Sequence, residues 1–94
     1  MISGLDDISL LRRYTEEGNE EAIQQIILKY QDLVFMACRQ CLACEADAED
    51  AAQQVFLTLI ENADTIHTNV RGWLYRCAVS QAALLIRTRQ RRVR

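Results

Sequence analysis

The sequence predicts an all-α domain of four helices, orthogonal or bundle-like in packing, with a long basic helix at its C-terminal end. Two observations support this fold class. Proline is absent and only three glycines occur in 94 residues, fewer turn-forming residues than a β-sandwich or β-barrel needs. Apolar side chains also recur every three or four residues, the period of a helix with one buried face. The chain is 50% hydrophobic and 26% charged, which predicts one folded domain over residues 1–94.

Capping residues delimit the first two helices. The first is predicted from about Asp6 to Glu16, with Gly18 positioned to end it, and Asn19 is the predicted N-cap of the second. A helix that is apolar over most of its circumference lies centrally in a domain or lends one face to a partner. The second helix has such a pattern, with a buried face of Ile23, Ile26, Ile27, Tyr30, Val34, Ala37, Cys38 and Cys41 and a second apolar row of Leu28, Phe35 and Leu42.

The third helix has one apolar face and one polar face. Asp47 is its predicted cap, with Glu49 and Asp50 in the first turn, where the helix dipole favours anions. An outward leucine among amides and acids indicates a docking face for a protein helix, although single exposed leucines are also ordinary. The predicted inner face is Ala48, Ala52, Val55 and Leu59, and the outer face is Asp50, Gln53, Gln54, Leu57 and Glu61.

The fourth helix follows a loop over residues 62–69, which has no apolar period. It is predicted to start near Asn69 and to run to the end of the chain, about 25 residues or roughly 38 Å. Its core-facing stripe is Val70, Trp73, Leu74, Cys77, Ala78 and Leu85. About half a turn away lies a cationic row of Arg76, Ser80, Ala83, Arg87, Arg91 and Arg94. Such a row is suited to following the phosphates of a nucleic acid.

Charge is distributed unevenly along the chain. Residues 1–64 hold all thirteen acidic residues and four basic ones, a net charge of −9, whereas residues 65–94 hold seven arginines and no acid, a net charge of +7. This asymmetry predicts a nucleic-acid or other acidic partner for the basic part. The alternative is a solubilising basic tail, or an arm that folds back on the acidic body.

The other chemically interesting residues do not predict a catalytic, metal or cofactor site. Cys38, Cys41 and Cys44 spread over roughly 120° of a helix and therefore do not converge on a metal ion. His67 is the only histidine, and no Ser or Cys is evident as its partner in a catalytic triad. A polar contact at the surface is therefore predicted for it. Trp73 lies on the apolar stripe, which favours a core anchor over a base-stacking platform. We therefore expect a cytoplasmic protein that is not an enzyme and has no membrane partner, its thiols reduced.

Two motifs resemble a known family. The run "DAEDAAQQVF" (47–56), followed by "RGWLYRCA" (71–78) and a basic helix, resembles region 2 of the extracytoplasmic-function class of bacterial RNA polymerase sigma factors. Upstream, "LLRRYTEEGNEEAIQQIILKYQDLVF" (10–35) is similar to the opening two helices of the same family. The resemblance implies a domain that binds the RNA polymerase core and recognises and melts the promoter −10 element. The alternative is a helical protein-interaction module whose basic tail engages an acidic partner.

The resemblance also implies partners and roles. The family's core-binding helix, which grips a coiled coil of the largest polymerase subunit, falls on Asp50, Gln53, Gln54 and Leu57. The non-template strand of the −10 element would be held by the loop and the fourth helix, and an anti-sigma factor is a further candidate partner. The positions expected to contact DNA are His67, Asn69, Arg71, Trp73, Arg76, Ser80, Arg87, Arg91 and Arg94.

The sequence departs from the family pattern at several positions. Relatives commonly have Glu where Gln54 stands and an aromatic residue where Val70 stands. They often have Asn at the position of Ser80 and Asp at that of Leu84. The glycine-proline turn between the second and third helices is replaced by residues 43–45. We expect core binding to tolerate these changes, whereas the promoter bases recognised depend on them. Full-length members also carry a second helical domain for the −35 element, which these residues do not include.

Overall fold

The computed structural model describes residues 6–93 of the chain, with side chains as far as residue 90. This part contains four α-helices and no strand, so the predicted all-α class and the number of helices are confirmed. The helices are α1 (Asp7–Glu17), α2 (Glu20–Cys41), α3 (Glu45–Asn62) and α4 (Val70–Val93), and a short 3₁₀ turn, Ala63–Thr65, follows α3. None of these helices is both long and apolar enough to cross a membrane.

The caps of the first two helices are where the sequence predicts them. Gly18 ends α1 in the left-handed conformation, with φ 68°, and its amide donates to the carbonyl oxygen of Tyr14. The side chain of Asn19 accepts hydrogen bonds from the amides of Glu21 and Ala22, which starts α2. At the start of α1, the Ser9 amide donates to the Asp6 carboxylate at 2.8 Å and holds the pKa of that carboxyl below its usual value.

Helix α2 lies at the centre of the fold and packs against each of the other three helices. A central position is one of the two alternatives that its wide apolar surface leaves open, although Leu28 of the second apolar row is exposed. One polar cluster ties α1 to α2: Asp7 accepts hydrogen bonds from the Lys29 ammonium group, at 3.0 Å, and from the Tyr30 hydroxyl. The largest fully buried side chains of the core are Leu11, Ile26, Leu59, Leu74, Val34, Val55, Val70 and Cys38.

The connection between α2 and α3 differs from the prediction at two residues. Cys41 is exposed, because α2 ends there and the extended Leu42 takes the buried position instead. Asp47 is not the cap of α3, which begins two residues earlier at Glu45, after Cys44 in an extended conformation. The Arg39 guanidinium donates to the carbonyl oxygens of residues 42 and 43, at 3.1 and 2.7 Å. It thereby closes a turn that contains neither glycine nor proline.

The inner faces of α3 and α4 largely follow the predicted stripes. All four predicted inner residues of α3 are buried, and Ala51 is buried beside them. On α4, Val70, Leu74 and Ala78 are buried, while Trp73, Cys77 and Leu85 are half-buried against the core. Ala82 is also buried, although the predicted stripe does not include it. Each of these two helices therefore also has an outward face, on the side away from its own buried stripe.

Candidate functional site

The outer face of α3 carries the residues that the sequence predicts for protein docking. Asp50, Gln53 and Gln54 are exposed, and Leu57 is exposed over 51% of its surface. Ile60, one turn further along α3, is exposed over 37%. An apolar side chain surrounded by amides and acids matches the composition of a small protein interface, with an anchor at the centre and a polar rim.

A groove of about 330 Å³ extends this face onto α4. Asp50 and Gln54 line its α3 side, and Gln81, Leu84 and Thr88 line its α4 side. Leu84 is 49% exposed, so a second apolar side chain lies beside the predicted docking residues. Leu84 is not among the residues that the sequence predicts for this surface. The sequence marks it only as an apolar residue outside the core stripe, on an otherwise polar face of α4.

A second groove, of about 460 Å³, lies on the other side of α3, against α2. Asp32, Glu45 and Glu49 line it together with the partly buried rings of Phe35 and Phe56. These carboxylates make this side of the docking face negative. A partner helix that carries basic side chains would therefore be electrostatically complementary to it.

The cationic row on α4 is exposed as far as its side chains are described. Arg76, Ser80 and Arg87 are exposed, whereas Ala83 is half-buried. Arg76 and Arg87 are eleven residues apart, or roughly 16 Å along the helix. The side chain of Arg91, as well as Arg94, lies outside the described residues.

Two apolar residues anchor the first part of the loop before α4 to the core. Ala63 and Ile66 are buried, whereas His67 is exposed, as predicted for a surface histidine. Asn69 has a left-handed backbone, with φ 49°, and its side chain accepts a hydrogen bond from the amide of Gly72. Asn69 therefore caps α4, and only the remaining polar atoms of its side chain are left for a ligand.

A largely apolar cleft of about 470 Å³ opens between α2 and the start of α4. It brings the predicted residues Asn69 and Arg71 together with Met36 and Tyr75, which are not among the predicted site residues. Met36 is 58% exposed and Tyr75 is 47% exposed. Arg71 is also exposed, whereas Trp73 is half-buried and packs against the core. The cleft could not be predicted from either helix alone, because its two walls are 29 or more residues apart in sequence.

The four cysteines are free thiols in distinct surroundings. Cys38 is buried, Cys77 is half-buried, and Cys41 and Cys44 are exposed. Burial raises the pKa of Cys38 to about 11 and raises that of Cys77 as well, so both thiols stay protonated near neutral pH. Within the described part of the chain, no three His, Cys, Asp or Glu side chains are grouped as metal ligands.

Comparisons with known proteins identify the family. The family model described as "Sigma-70 region 2" matches residues 26–92. A curated relative, "ECF RNA polymerase sigma factor SigW" of Bacillus subtilis (strain 168), is 30% identical over 70 residues. The matched region is 72% of this chain and 37% of that relative, and no solved structure matches. The resemblance of the motifs at residues 47–56 and 71–78 is thus confirmed, and the chain belongs to the sigma-70 region 2 family, of the extracytoplasmic-function type.

Proposed function

We propose that residues 1–94 form a sigma factor region 2 domain that serves in transcription initiation. It docks on the RNA polymerase core through α3 and holds the non-template strand of the −10 element along α4. One observation carries the proposal: an exposed arginine row on α4, in a segment without acids, lies apart from an exposed Leu57 face on α3. The curated relative is an RNA polymerase sigma factor, and this similarity supports the same role.

The polymerase contact is centred on Leu57. Its side chain inserts into the partner surface, while Gln53 and Gln54 hydrogen-bond around it and Asp50 faces a basic residue. The partner in this proposal is the coiled coil of the largest polymerase subunit. Because the adjoining α2–α3 groove is lined by carboxylates, basic side chains on that coiled coil would strengthen the contact.

Strand binding divides between phosphates and bases. Arg76 and Arg87 neutralise phosphates and release counterions, which provides affinity without sequence preference. Ser80, between them, leaves room for the strand to approach the helix, and its hydroxyl would contact a base or a sugar. Arg91 and Arg94 would continue this phosphate track.

Selectivity and opening require a base outside the stack. The cleft between α2 and α4 accepts such a base in this proposal, with Tyr75 as the stacking surface and Arg71 near the sugar-phosphate backbone. His67 and Asn69 lie at the loop end of the same region and would contact bases or sugars. Capturing a displaced base stabilises the melted state over the duplex, which gives the domain its part in promoter opening.

The proposal has further components. The domain acts in the cytoplasm, where polymerase and promoter are found, performs no catalysis, and binds neither a cofactor nor a membrane. An anti-sigma factor would regulate it by covering one of the two faces.

A reconstituted binding assay tests the proposed function. RNA polymerase core, the chain and a fluorescent single strand with a −10-like sequence are mixed, and anisotropy of the strand is measured. We expect the chain alone to bind the strand only weakly and at low salt, tight capture at higher salt to need both the chain and the core, and this tight capture to be lost with Leu57→Arg. A chain that neither binds core nor changes strand capture would contradict the proposal and favour the interaction module with an acidic protein partner.

A further inference from the structure

One ion pair connects the two helices that carry the proposed faces. Nη2 of Arg89, on α4, lies 2.6 Å from Oδ1 of Asp47, in the first turn of α3. Asp47 is the one buried charged residue among the described side chains, with 11% of its side chain exposed. The Arg89 side chain is 58% exposed. The pair joins residues that are 42 positions apart in sequence.

Burial makes the partner of Asp47 important. A buried carboxylate is costly unless a cation or hydrogen-bond donors compensate it. The helix dipole favours an anion in the first turn of α3, and the short contact with the Arg89 guanidinium adds a charge-assisted hydrogen bond. Arg89 is therefore held against the body of the domain.

Few other described side chains hold this part of α4. As far as residue 90, Ala82 is the last buried residue of the helix, and Leu85 is the last apolar side chain that packs against the core. Residues 86–90 are exposed. Among the described side chains, the contact of Arg89 with Asp47 is thus the one nearest the C-terminal end of α4 that joins this helix to the rest of the domain.

Arg89 also points away from the cationic row. Two residues along an α-helix correspond to a rotation of about 200°, so Arg87 and Arg89 lie on nearly opposite sides of α4. The side that Arg89 occupies faces α3, whereas Arg87 faces outward. The two arginines therefore have different neighbours although they are adjacent in the basic segment.

We propose that Arg89 is a positioning residue: its ion pair with Asp47 fixes the last turns of α4 against α3 and so aligns the arginine row with the polymerase-binding face. Arg89 itself contacts no phosphate. The proposed alignment rests on the proposed function, because it has a consequence only if the arginine row binds the strand while α3 binds polymerase. The ion pair between α3 and α4 forms whether or not DNA is bound.

Hydrogen–deuterium exchange tests the tie. We expect the amides of residues 84–90 to exchange at least several-fold faster in Arg89→Gln and in Asp47→Asn, relative to the Ile26 amide in the core. The double variant should exchange no faster than the single variants, and Arg89→Lys should restore part of the protection. Two variants serve as controls without this effect: Arg87→Gln alters an exposed arginine in the same segment that does not face α3, and Arg12→Gln alters an exposed arginine on α1. Unchanged exchange in Arg89→Gln would overturn the inference, even if Asp47→Asn fails to fold.

The salt dependence of strand binding tests the alignment. Removing one phosphate contact flattens the slope of log affinity against log salt by about 0.7 for single strands. We expect this change for Arg87→Gln, whereas Arg89→Gln should lower affinity a few-fold at each salt concentration and leave the slope unchanged. If both variants flatten the slope equally, Arg89 is itself a phosphate contact. That result would overturn this inference but not the proposed function. An unchanged slope in Arg87→Gln would instead contradict the proposed function.

Discussion

Asn69 and Gly72 are matched to one another at the start of α4. The amide of Gly72 donates a hydrogen bond to Oδ1 of Asn69 at 3.0 Å, and a Cβ atom at residue 72 would lie 2.9 Å from Cγ of Asn69. The capping side chain therefore requires a residue without a Cβ atom at position 72. Because Asn69 also has φ 49°, this pair determines where the loop ends and the basic helix begins.

The cap predicts a difference between two substitutions. Asn69→Ala should lower the free energy of unfolding by about 1–2 kcal/mol, because alanine loses the cap and disfavours the left-handed backbone. Asn69→Gly should cost only about a few tenths of a kcal/mol, because glycine adopts positive φ freely. Urea denaturation of the two variants measures the difference. Equal losses would show that neither the cap nor the backbone conformation stabilises the helix start.

The exposure of Leu57 predicts a separation of binding from stability. Leu57→Arg should abolish co-purification with polymerase core, while the melting temperature changes by less than about 4 °C, as expected for a surface position. Leu59, two residues on, is fully buried and serves as the matched control. Leu59→Arg should unfold the domain, because it buries an unpaired charge. A large drop in melting temperature for Leu57→Arg would place that residue in the core.

The surroundings of the cysteines predict an order of thiol reactivity. Cys41 and Cys44 are exposed and should react first with a thiol reagent at pH 8, followed more slowly by the half-buried Cys77. Cys38 should react only when the domain unfolds, because burial both shields it and raises its pKa to about 11. Mass spectrometry of partly labelled protein gives the order. Early labelling of Cys38 would contradict the described packing of α2.

Four raised pKa values predict a loss of stability in alkaline solution. The hydrogen bond with Asp7 raises the pKa of Lys29, and burial raises the pKa values of Tyr30, Cys38 and Cys77. Each group binds its proton more tightly in the folded state, so its contribution is complete below the unfolded pKa and disappears as pH rises through the folded pKa. The urea concentration at the unfolding midpoint should therefore decrease as the pH rises from 9.0, the ordinary pKa of a thiol, to about 11, the pKa of Cys38 in the folded domain. A constant or rising midpoint over this window would contradict the assignment.

Local signals predicted most of the fold, and long-range contacts account for the differences. Gly18 and Asn19 act on their own helix ends, so the sequence places both correctly. Asp47 has the local signature of a cap, but its carboxylate pairs instead with an arginine 42 residues away, which no helical period reveals. The cleft lined by Met36 and Tyr75 likewise depends on how two helices cross. The role of each predicted site residue stays a prediction, because exposure alone does not identify a partner.

The salt dependence of strand binding tests the central claim most directly. Fluorescence anisotropy with a short non-template strand of −10-like sequence, measured over a salt series that begins at low salt, gives the slope of log affinity against log salt. The double variant Arg76→Gln/Arg87→Gln should flatten this slope by about 1.4, two contacts at roughly 0.7 each, whatever the sequence of the strand. Ser80→Ala should instead change the preference among sequences and leave the slope unaltered. A slope that the double arginine variant leaves unchanged would contradict the account, because the strand would then not follow the arginine row of α4.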